Sequence, residues 1–286
     1  MAKKPKEKKE VETTGHVWDG IEEYNNPMPR WWVWTFYATI VWAIGYTIFY
    51  PAWPLVNGAT PGLLGWSTRG DVAQEIQKFN DMNADLNTKL ASADLNNLSD
   101  DPALQNYAIQ YGQATFATFC SQCHGSGAAG AKGYPNLLDN DWLWGGTMED
   151  IHTTITFGIN SPDSDDTRMG GMPAHGELLE PQDLEQVIEY VVSLAGGEAD
   201  PALVEGGKVV FADNCAACHG DNAEGNRDLG APNLTDAIWL FGSDRADITE
   251  TITNGRAGVM PNWNAKLSPS QIAAVTAYVH QLGGGE

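Results

Sequence analysis

The residues with the clearest chemistry form the pattern Cys-x-x-Cys-His, which occurs twice, at residues 120–124 and 215–219, and uses all four cysteines. At this spacing two thiols add across the vinyl groups of one haem, and the adjoining histidine becomes the proximal ligand of its iron. The sequence therefore predicts two covalently bound haem c groups. The attaching thiols are predicted at Cys120, Cys123, Cys215 and Cys218, and the proximal ligands at His124 and His219.

Other chemistry of paired cysteines fits this pattern less well. A thioredoxin-like redox site has no histidine after its cysteine pair. The two pairs of a four-cysteine zinc site normally lie within about twenty residues of each other. Structural disulfides remain an alternative in an oxidising compartment, but the histidine in both copies favours haem.

A second axial ligand is expected for a haem that carries electrons without binding oxygen, and methionine sulfur raises the reduction potential. A methionine followed by proline, after a run of small residues, stands downstream of each motif at Met172 and Met260. We predict Met172 as the distal ligand of the first haem and Met260 as that of the second. Met169 in place of Met172, and an exchange of methionines between the two copies, remain open.

The charge of the chain is unevenly distributed. Residues 1–30 carry six basic and six acidic residues, whereas the chain from Pro51 onward carries ten basic and thirty-one acidic residues, which accounts for the whole net charge of -21. Such a surface disfavours nucleic acid and anionic lipid, and it favours a cationic protein partner attracted at long range. A merely soluble acidic surface explains the charge equally well.

One transmembrane helix is predicted at residues 31–50, which contain no charged side chain and span the roughly 30 Å hydrocarbon core as a helix. Tryptophan and tyrosine cluster at both ends, as in interfacial belts. The lysine-rich leader and Arg30 favour a cytoplasmic N-terminus. The chain after residue 50 would then lie in the periplasm of a bacterium, where haem c is attached. Residues 1–12 are expected to be disordered.

The rest of the chain divides into a connector and two repeats. An amphipathic helix is predicted over residues 71–98, from apolar side chains at steps of three or four. Each haem motif follows a glycine and a phenylalanine at the same spacing, and each Met-Pro precedes a closing helix. These helices are predicted at Leu184–Leu194 and Ile272–Leu282, with the anchors at Gly112, Phe116, Gly207 and Phe211.

The repeats differ in the loop between their last glycine and their Met-Pro, which is longer in the first copy. This loop contains Asp163, Asp165 and Asp166, and it is either a docking surface or a solvated insertion. The histidines outside the motifs are expected at the surface, and they are His16, His152, His175 and His280. His175 is close enough to Met172 in sequence to compete for the first iron.

Helix, haem motif, loop, Met-Pro and closing helix in this order resemble the class I cytochrome c domain. The resemblance extends before the repeats, through Gly15-His16-x-Trp18-Asp19-Gly20-Ile21-x-Glu23 and Asn26-Pro27-x-Pro29-Arg30-Trp31-Trp32. Along essentially its whole length the chain is similar to the dihaem subunit, subunit III, of cbb3-type cytochrome c oxidases. The implied fold is all-α, with one N-terminal transmembrane helix followed by two tandem class I cytochrome c domains.

The resemblance implies a place in a proton-pumping oxidase complex of the bacterial inner membrane. This subunit would pass electrons from a soluble cytochrome c donor to a monohaem subunit, and oxygen would be reduced in a separate catalytic subunit. The implied boundaries are 1–30 for a cytoplasmic segment, 31–50 for the helix, 51–106 for a connector, 107–197 for cytochrome domain 1 and 201–286 for domain 2.

Two alternatives belong to other classes of protein. A free-standing membrane-anchored dihaem carrier would have the same motifs, and only its failure to migrate with haem b and copper would distinguish it. A dihaem peroxidase needs an iron with an open coordination position, whereas both repeats offer a Met-Pro ligand. A dehydrogenase-linked cytochrome needs a substrate domain, for which no stretch of sequence is left.

Overall fold

The computed structural model describes residues 11–285. These residues form two compact units, the first ending at Met82 and the second beginning at Asn83. The expectation of disorder for residues 1–12 therefore falls almost wholly outside the described residues. The described chain is mostly helical, as predicted, with two small β-hairpins in its first unit.

The described part of the first unit begins with a β-hairpin that the sequence did not lead us to expect. Strand β1 (Thr13–Trp18) pairs antiparallel with β2 (Ile21–Tyr24). Asp19 and Gly20 form the connecting turn at φ values of 50° and 84°, the left-handed geometry that Asp-Gly readily adopts. Every residue of both strands is exposed.

The predicted membrane helix is present as α1, Arg30–Phe49. In the described part of the chain, it is the one helix long and apolar enough to cross a membrane. None of its side chains is buried by the protein, as expected for a helix whose solvent is lipid. Pro51 follows and cannot continue the helical hydrogen bonds.

The remainder of the first unit consists of a small hairpin and a helix. Strands β3 (Pro54–Leu55) and β4 (Gly58–Ala59) pair antiparallel. Helix α2 then extends over Thr68–Met82.

The single helix predicted for residues 71–98 is wrong. The structure divides this stretch into α2, α3 (Ala84–Ala91) and a 3-10 turn at Leu95–Asp100. The carboxylate of Asp94 accepts a hydrogen bond from the backbone N–H of Asn96 at 3.1 Å. Such local side-chain caps offer the backbone an alternative to a continuous helix.

The second unit contains α3 and eight further helices. An aspartate or serine caps the start of three of them through its side chain, and proline follows in the first turn, where its missing N–H leaves no intrahelical bond unmade. The helices are α4 (Pro102–Phe119), α5 (Ser121–His124), α6 (Met148–Phe157), α7 (Pro181–Leu194), α8 (Pro201–Asn214), α9 (Ala216–His219), α10 (Arg245–Asn254) and α11 (Pro269–His280).

The long helices pair across the two sequence repeats. Helix α4 packs along α11, and α7 packs along α8. A Cβ at Gly112 of α4 would collide with the carbonyl of Ala274 on α11, and one at Gly207 of α8 with that of Gln186 on α7. Glycine is therefore required at both crossings because the helix backbones approach each other closely.

The crossing defines two lobes that are not the two repeats. The first lobe consists of residues 84–159 and 260–285, and the second lobe of residues 172–256. One aromatic contact stabilises the helix pair of each lobe. The ring centroids of Phe116 and Tyr278 lie 5.5 Å apart in the first lobe, and those of Tyr190 and Phe211 lie 5.3 Å apart in the second. The N-terminal helix of each repeat thus packs against the final helix of the other repeat.

Candidate haem-binding sites

Both Cys-x-x-Cys-His motifs begin where a long helix ends. Cys120 is the C-cap of α4, and Cys215 is the C-cap of α8. The remaining four residues of each motif form the single helical turns α5 and α9. The first thiol of each motif is half-buried and the second is exposed.

The two histidines are held in the same way. The Nδ1 atom of His124 lies 3.0 Å from the carbonyl oxygen of Pro135, and that of His219 lies 3.0 Å from the carbonyl oxygen of Pro232. A carbonyl oxygen can only accept, so Nδ1 must carry the proton. This leaves Nε2 free as a ligand, the usual arrangement in which a second partner fixes the tautomer of a metal-binding histidine.

Burial favours the neutral forms of the side chains in both motifs. It lowers the pKa of His124 and His219, against the raising effect of the carbonyl hydrogen bonds. Burial, with a smaller effect of the neighbouring thiol, raises the pKa of Cys120 and of Cys215 to about 11. Neither cysteine is therefore an activated thiolate of the kind found in redox-active cysteine pairs.

The methionines differ clearly in exposure. Met169 is 73% exposed, whereas Met172 and Met260 are half-buried against core clusters. An exposed thioether makes few contacts that would hold it against a haem face. The preference for Met172 over Met169 remains a prediction, and the packing favours it.

Of the two pairings that the sequence left open, the core clusters favour the exchange of methionines between the copies. Met172 packs in the cluster that contains Cys215, and Met260 packs in the cluster that contains Cys120. Which methionine serves which motif remains a prediction, and the packing favours the motif of the other repeat. The cause is the crossing of helices. Each Met-Pro is followed by the closing helix of its own repeat, and that helix packs in the lobe that holds the haem motif of the other repeat.

Short backbone pairings fix the two Met-Pro segments. Ile159 and Met260 exchange hydrogen bonds of 2.9 Å in both directions. Arg256 and Met172 do the same, at 2.7 and 2.9 Å. The residues before these bridges, Gly158 and Gly255, have φ values of +76° and +70°, and a Cβ on either would collide with the carbonyl of the facing methionine.

His175 is not a surface residue, contrary to our expectation. It is 8% exposed and lies in the second lobe, where its charge would further lower the pKa of His219. Its backbone N–H donates to Ile252, as that of Trp263 donates to Ile155 in the first lobe. His175 therefore stands near the second motif and corresponds to a core tryptophan.

Two arginines beside the methionines were missed at the level of sequence. Arg168 lies 5.5 Å from the ring centroid of Trp144, and Arg256 lies 4.6 Å from that of Phe241. Both arginines stand four residues before a Met-Pro. Aligning the repeats on Met-Pro, rather than on the preceding glycine, would have found this correspondence.

The acidic loop of the first repeat joins the two lobes. Its side chains Asp163, Asp165 and Asp166 are exposed, while Ser161 at its start is buried and donates to Asn262 at 2.9 Å. The loop is therefore anchored at its base and presents carboxylates at its tip.

Two protein-family models match the sequence. The model of the N-terminal domain of cytochrome oxidase-cbb3, FixP, matches residues 10–57. The model of cytochrome c oxidase, cbb3-type, subunit III matches twice, at residues 108–191 and 202–279. The predicted pair of cytochrome domains is confirmed by the second match, which follows the sequence repeats and not the lobes.

Characterised relatives match along the whole chain. The chain is 58% identical over 290 residues to the cbb3-type cytochrome c oxidase subunit CcoP of Cereibacter sphaeroides, with both chains covered completely. It is 54% identical to the subunit CcoP of Rhodobacter capsulatus, again over all of both chains. It is 52% identical to the subunit FixP of Azorhizobium caulinodans, over 96% of this chain and 94% of that one.

Proposed function

Because the chain belongs to the subunit III family of cbb3-type cytochrome c oxidases, we propose that it binds two haem c groups and passes electrons from a soluble cytochrome c to a monohaem subunit. It is a membrane-anchored cytochrome subunit of an oxidase complex.

The observation that carries the proposal is the matched pair of histidines. In both motifs the Nδ1–H bonds a proline carbonyl at 3.0 Å, so the Nε2 lone pair is free in the form that ligates iron. Haem c, when bound, supplies a one-electron iron couple. Four thiols would hold the two haems covalently, and these are Cys120, Cys123, Cys215 and Cys218.

The distal ligands follow the packing. Met260 would complete the site of His124, and Met172 that of His219, because each methionine lies in that motif's core cluster. A histidine and a thioether fill both axial positions, which suits electron transfer and leaves no position for oxygen. Oxygen reduction and proton pumping would therefore belong to other subunits of the complex.

The orientation follows from charge and chemistry. Lysines before α1, and Arg30 at its first position, favour the cytoplasm for the N-terminus. The cytochrome domains, residues 107–197 and 201–286, would then stand in the periplasm of a bacterial inner membrane. The carboxylate surplus after residue 50 would attract a basic donor cytochrome.

Co-purification tests this function. Membranes are solubilised in a mild detergent, and the oxidase is resolved by native electrophoresis with detection of haem c, haem b and copper. We expect the chain to migrate with all three and to carry two covalent haems by intact mass. Migration of its haem c without haem b or copper would identify a free-standing carrier instead.

A further inference from the structure

Arg168 and Arg256 reach corresponding places by different routes through the sequence. Arg256 directly follows Gly255, whereas residues 159–167 separate Gly158 from Arg168. In the first lobe the position after the glycine is occupied by Ile159, which has no charge. The longer loop brings Arg168 back beside it, where its N–H donates to Gly158 at 3.1 Å and its carbonyl accepts from Asn160 at 2.8 Å.

Each guanidinium then packs on the equivalent aromatic ring of its lobe. Trp144 receives Arg168, and Phe241 receives Arg256. Both rings also face the other lobe, since a Cβ at Gly230 would collide with Trp144 and one at Gly133 would stand 3.4 Å from Phe241. The two arginine–aromatic pairs are therefore related by the pseudo-symmetry of the repeats and line the boundary between the lobes.

The hydrogen bonds of the two arginines differ in one respect. Arg256 donates from Nε to Thr251 at 3.1 Å and from Nη1 to Glu250 at 3.2 Å. Arg168 donates from Nη2 to the carboxylate of Asp150 at 3.0 Å. Its Nε is buried and, in the described part of the chain, is the one buried side-chain nitrogen or oxygen without a hydrogen-bond partner.

A buried donor without a partner is unfavourable, and more so when it is charged. The guanidinium is planar and always charged, so its natural partner is a carboxylate that it can bind with parallel N–H groups. The Nη2 group of Arg168 already donates to Asp150. A second anion beside Nε would complete the arrangement.

Haem c carries such anions on the edge opposite its thioether bonds, as two propionate carboxylates that no covalent bond fixes. We propose that Arg168 and Arg256 each bind a propionate of the haem in their own lobe and neutralise it at the boundary between the lobes. This inference rests on the proposed binding of two haems. It assigns Arg168 to the lobe of His124 through its pairing with Ile159, and Arg256 to that of His219 through its pairing with Met172.

The proposal has a direct electrostatic consequence. Reduction removes one positive charge from the iron, so a nearby guanidinium favours the ferrous state. Replacing Arg168 by glutamine should make the reduction equilibrium constant of one haem about tenfold smaller, which is about 59 mV for a one-electron couple. Arg256→Gln should have the same effect on the other haem.

The experiment is a spectroelectrochemical titration of both haems in the purified oxidase complex. Arg168→Lys keeps the charge, so the first haem of this variant should have a potential close to that of the unsubstituted protein. Asp150→Asn removes a negative charge and the carboxylate that competes for Arg168, so it should raise the potential of the first haem. If Arg168 only clamps its loop to α6, Arg168→Gln and Asp150→Asn should both lower thermal stability and leave both potentials unchanged, and that result overturns the proposal.

A second measurement decides the matter if Arg168→Gln fails to retain haem. Arg168→Lys lacks the planar fork, so redox-induced infrared difference spectra of this variant, with ¹³C in the haem carboxylates, should show a shifted carboxylate band. An unshifted band overturns the proposal. Failure of the proposed function is separate, because it would appear in the unsubstituted protein as a missing haem or as migration apart from the oxidase.

Discussion

Met172 and Met260 each lie in the core cluster of the haem motif that belongs to the other repeat. A chain with Cys120→Ala and Cys123→Ala should retain only the second haem. In that chain Met172→Leu should abolish the sulfur-to-iron absorption band of the ferric haem, because leucine offers no lone pair. Met260→Leu should leave the band in place.

The exposed Met169 supplies the matched control for this test, since Met169→Leu should not change the spectrum. If Met260→Leu, and not Met172→Leu, removes the band of the second haem, the ligands follow the repeats and the lobes do not exchange them. The background substitution makes the assignment independent of overlapping signals from the first haem.

Gly158 and Gly255 set the position of the methionine loops. Both have a positive φ, and a Cβ on either would collide with a methionine carbonyl. Gly158→Ala should therefore lower the free energy of unfolding by more than the roughly 1 kcal/mol expected of an unfavourable backbone conformation, and it should weaken the sulfur-to-iron band. Chemical denaturation and absorption spectroscopy measure the two effects.

Gly196 is a suitable control for this substitution. Its φ is +77°, yet a Cβ there would meet nothing within 4 Å. Gly196→Ala should therefore show the backbone penalty alone and leave the band unchanged. Equal losses of stability in the two variants would mean that the collision with Met260 has no energetic effect.

The types of the candidate ligands could be predicted from sequence, but their partners could not. Cys-x-x-Cys-His and Met-Pro are local patterns, and the chemistry of each is contained in a few neighbouring residues. Which methionine faces which histidine depends on how helices far apart in sequence pack. Repeat symmetry cannot decide this, because the same surfaces fit within a repeat and across repeats.

At the scale of helices, the crossings of α4 with α11 and of α7 with α8 depend on single glycines. Gly207→Ala should destabilise the second lobe strongly, since the new methyl group would collide with the rigid carbonyl of Gln186. Thermal unfolding of the purified chain is the measurement. The loss of stability should appear in the unfolding transition that is followed by the absorbance of the second haem.

The neighbouring glycine is the control for this crossing. A Cβ at Gly206 would meet only the flexible side-chain end of Gln186. Gly206→Ala should therefore be neutral or stabilising by up to about 1 kcal/mol, through the better helix propensity of alanine. Comparable damage from both substitutions would argue against a close backbone crossing.

Elements with strong local signals were predicted well, and others were not. Helix α1 stands within one residue of its predicted span, because length and the absence of charge suffice to recognise it. The hairpin β1–β2 is too short for periodicity to indicate, although its Asp-Gly turn was visible. The break between α2 and α3 was missed because the apolar spacing continues through it.

At the scale of the whole molecule, the second lobe is a continuous stretch of chain. A fragment of residues 160–258 contains α7 packed on α8, together with His219 and Met172. When exported in a strain that attaches haem c, it should yield a folded monohaem protein with a sulfur-to-iron band. The fragment of residues 201–286 follows the sequence repeat but lacks α7, so it should be less stable to heat and should yield less holoprotein.

The opposite ranking of these fragments would show that each repeat can close on itself in isolation. Both fragments contain the same haem motif and a Met-Pro. The comparison therefore separates the effect of helix packing from that of the ligands.

The acidic surface gives a prediction about rates. Reduction of the oxidase by a basic cytochrome c should slow steeply as salt rises past about 0.1 M, where the Debye length is about 10 Å. Stopped-flow kinetics over a range of ionic strength measure this. A rate that does not change with salt would mean that the net charge of -21 serves solubility alone.

The packing of helices across the two repeats also predicts the order in which the two haem sites are completed. With the proposed periplasmic location of the cytochrome domains, export would deliver the thiols of the first motif before Met260 and α11, which complete that lobe. The second lobe has all its parts between residues 172 and 256, so it can fold before the last helix of the first lobe has been exported. The site of the first motif would thus be completed after that of the second, and a mutation near the C-terminal end of the chain would disturb the first haem site rather than the second.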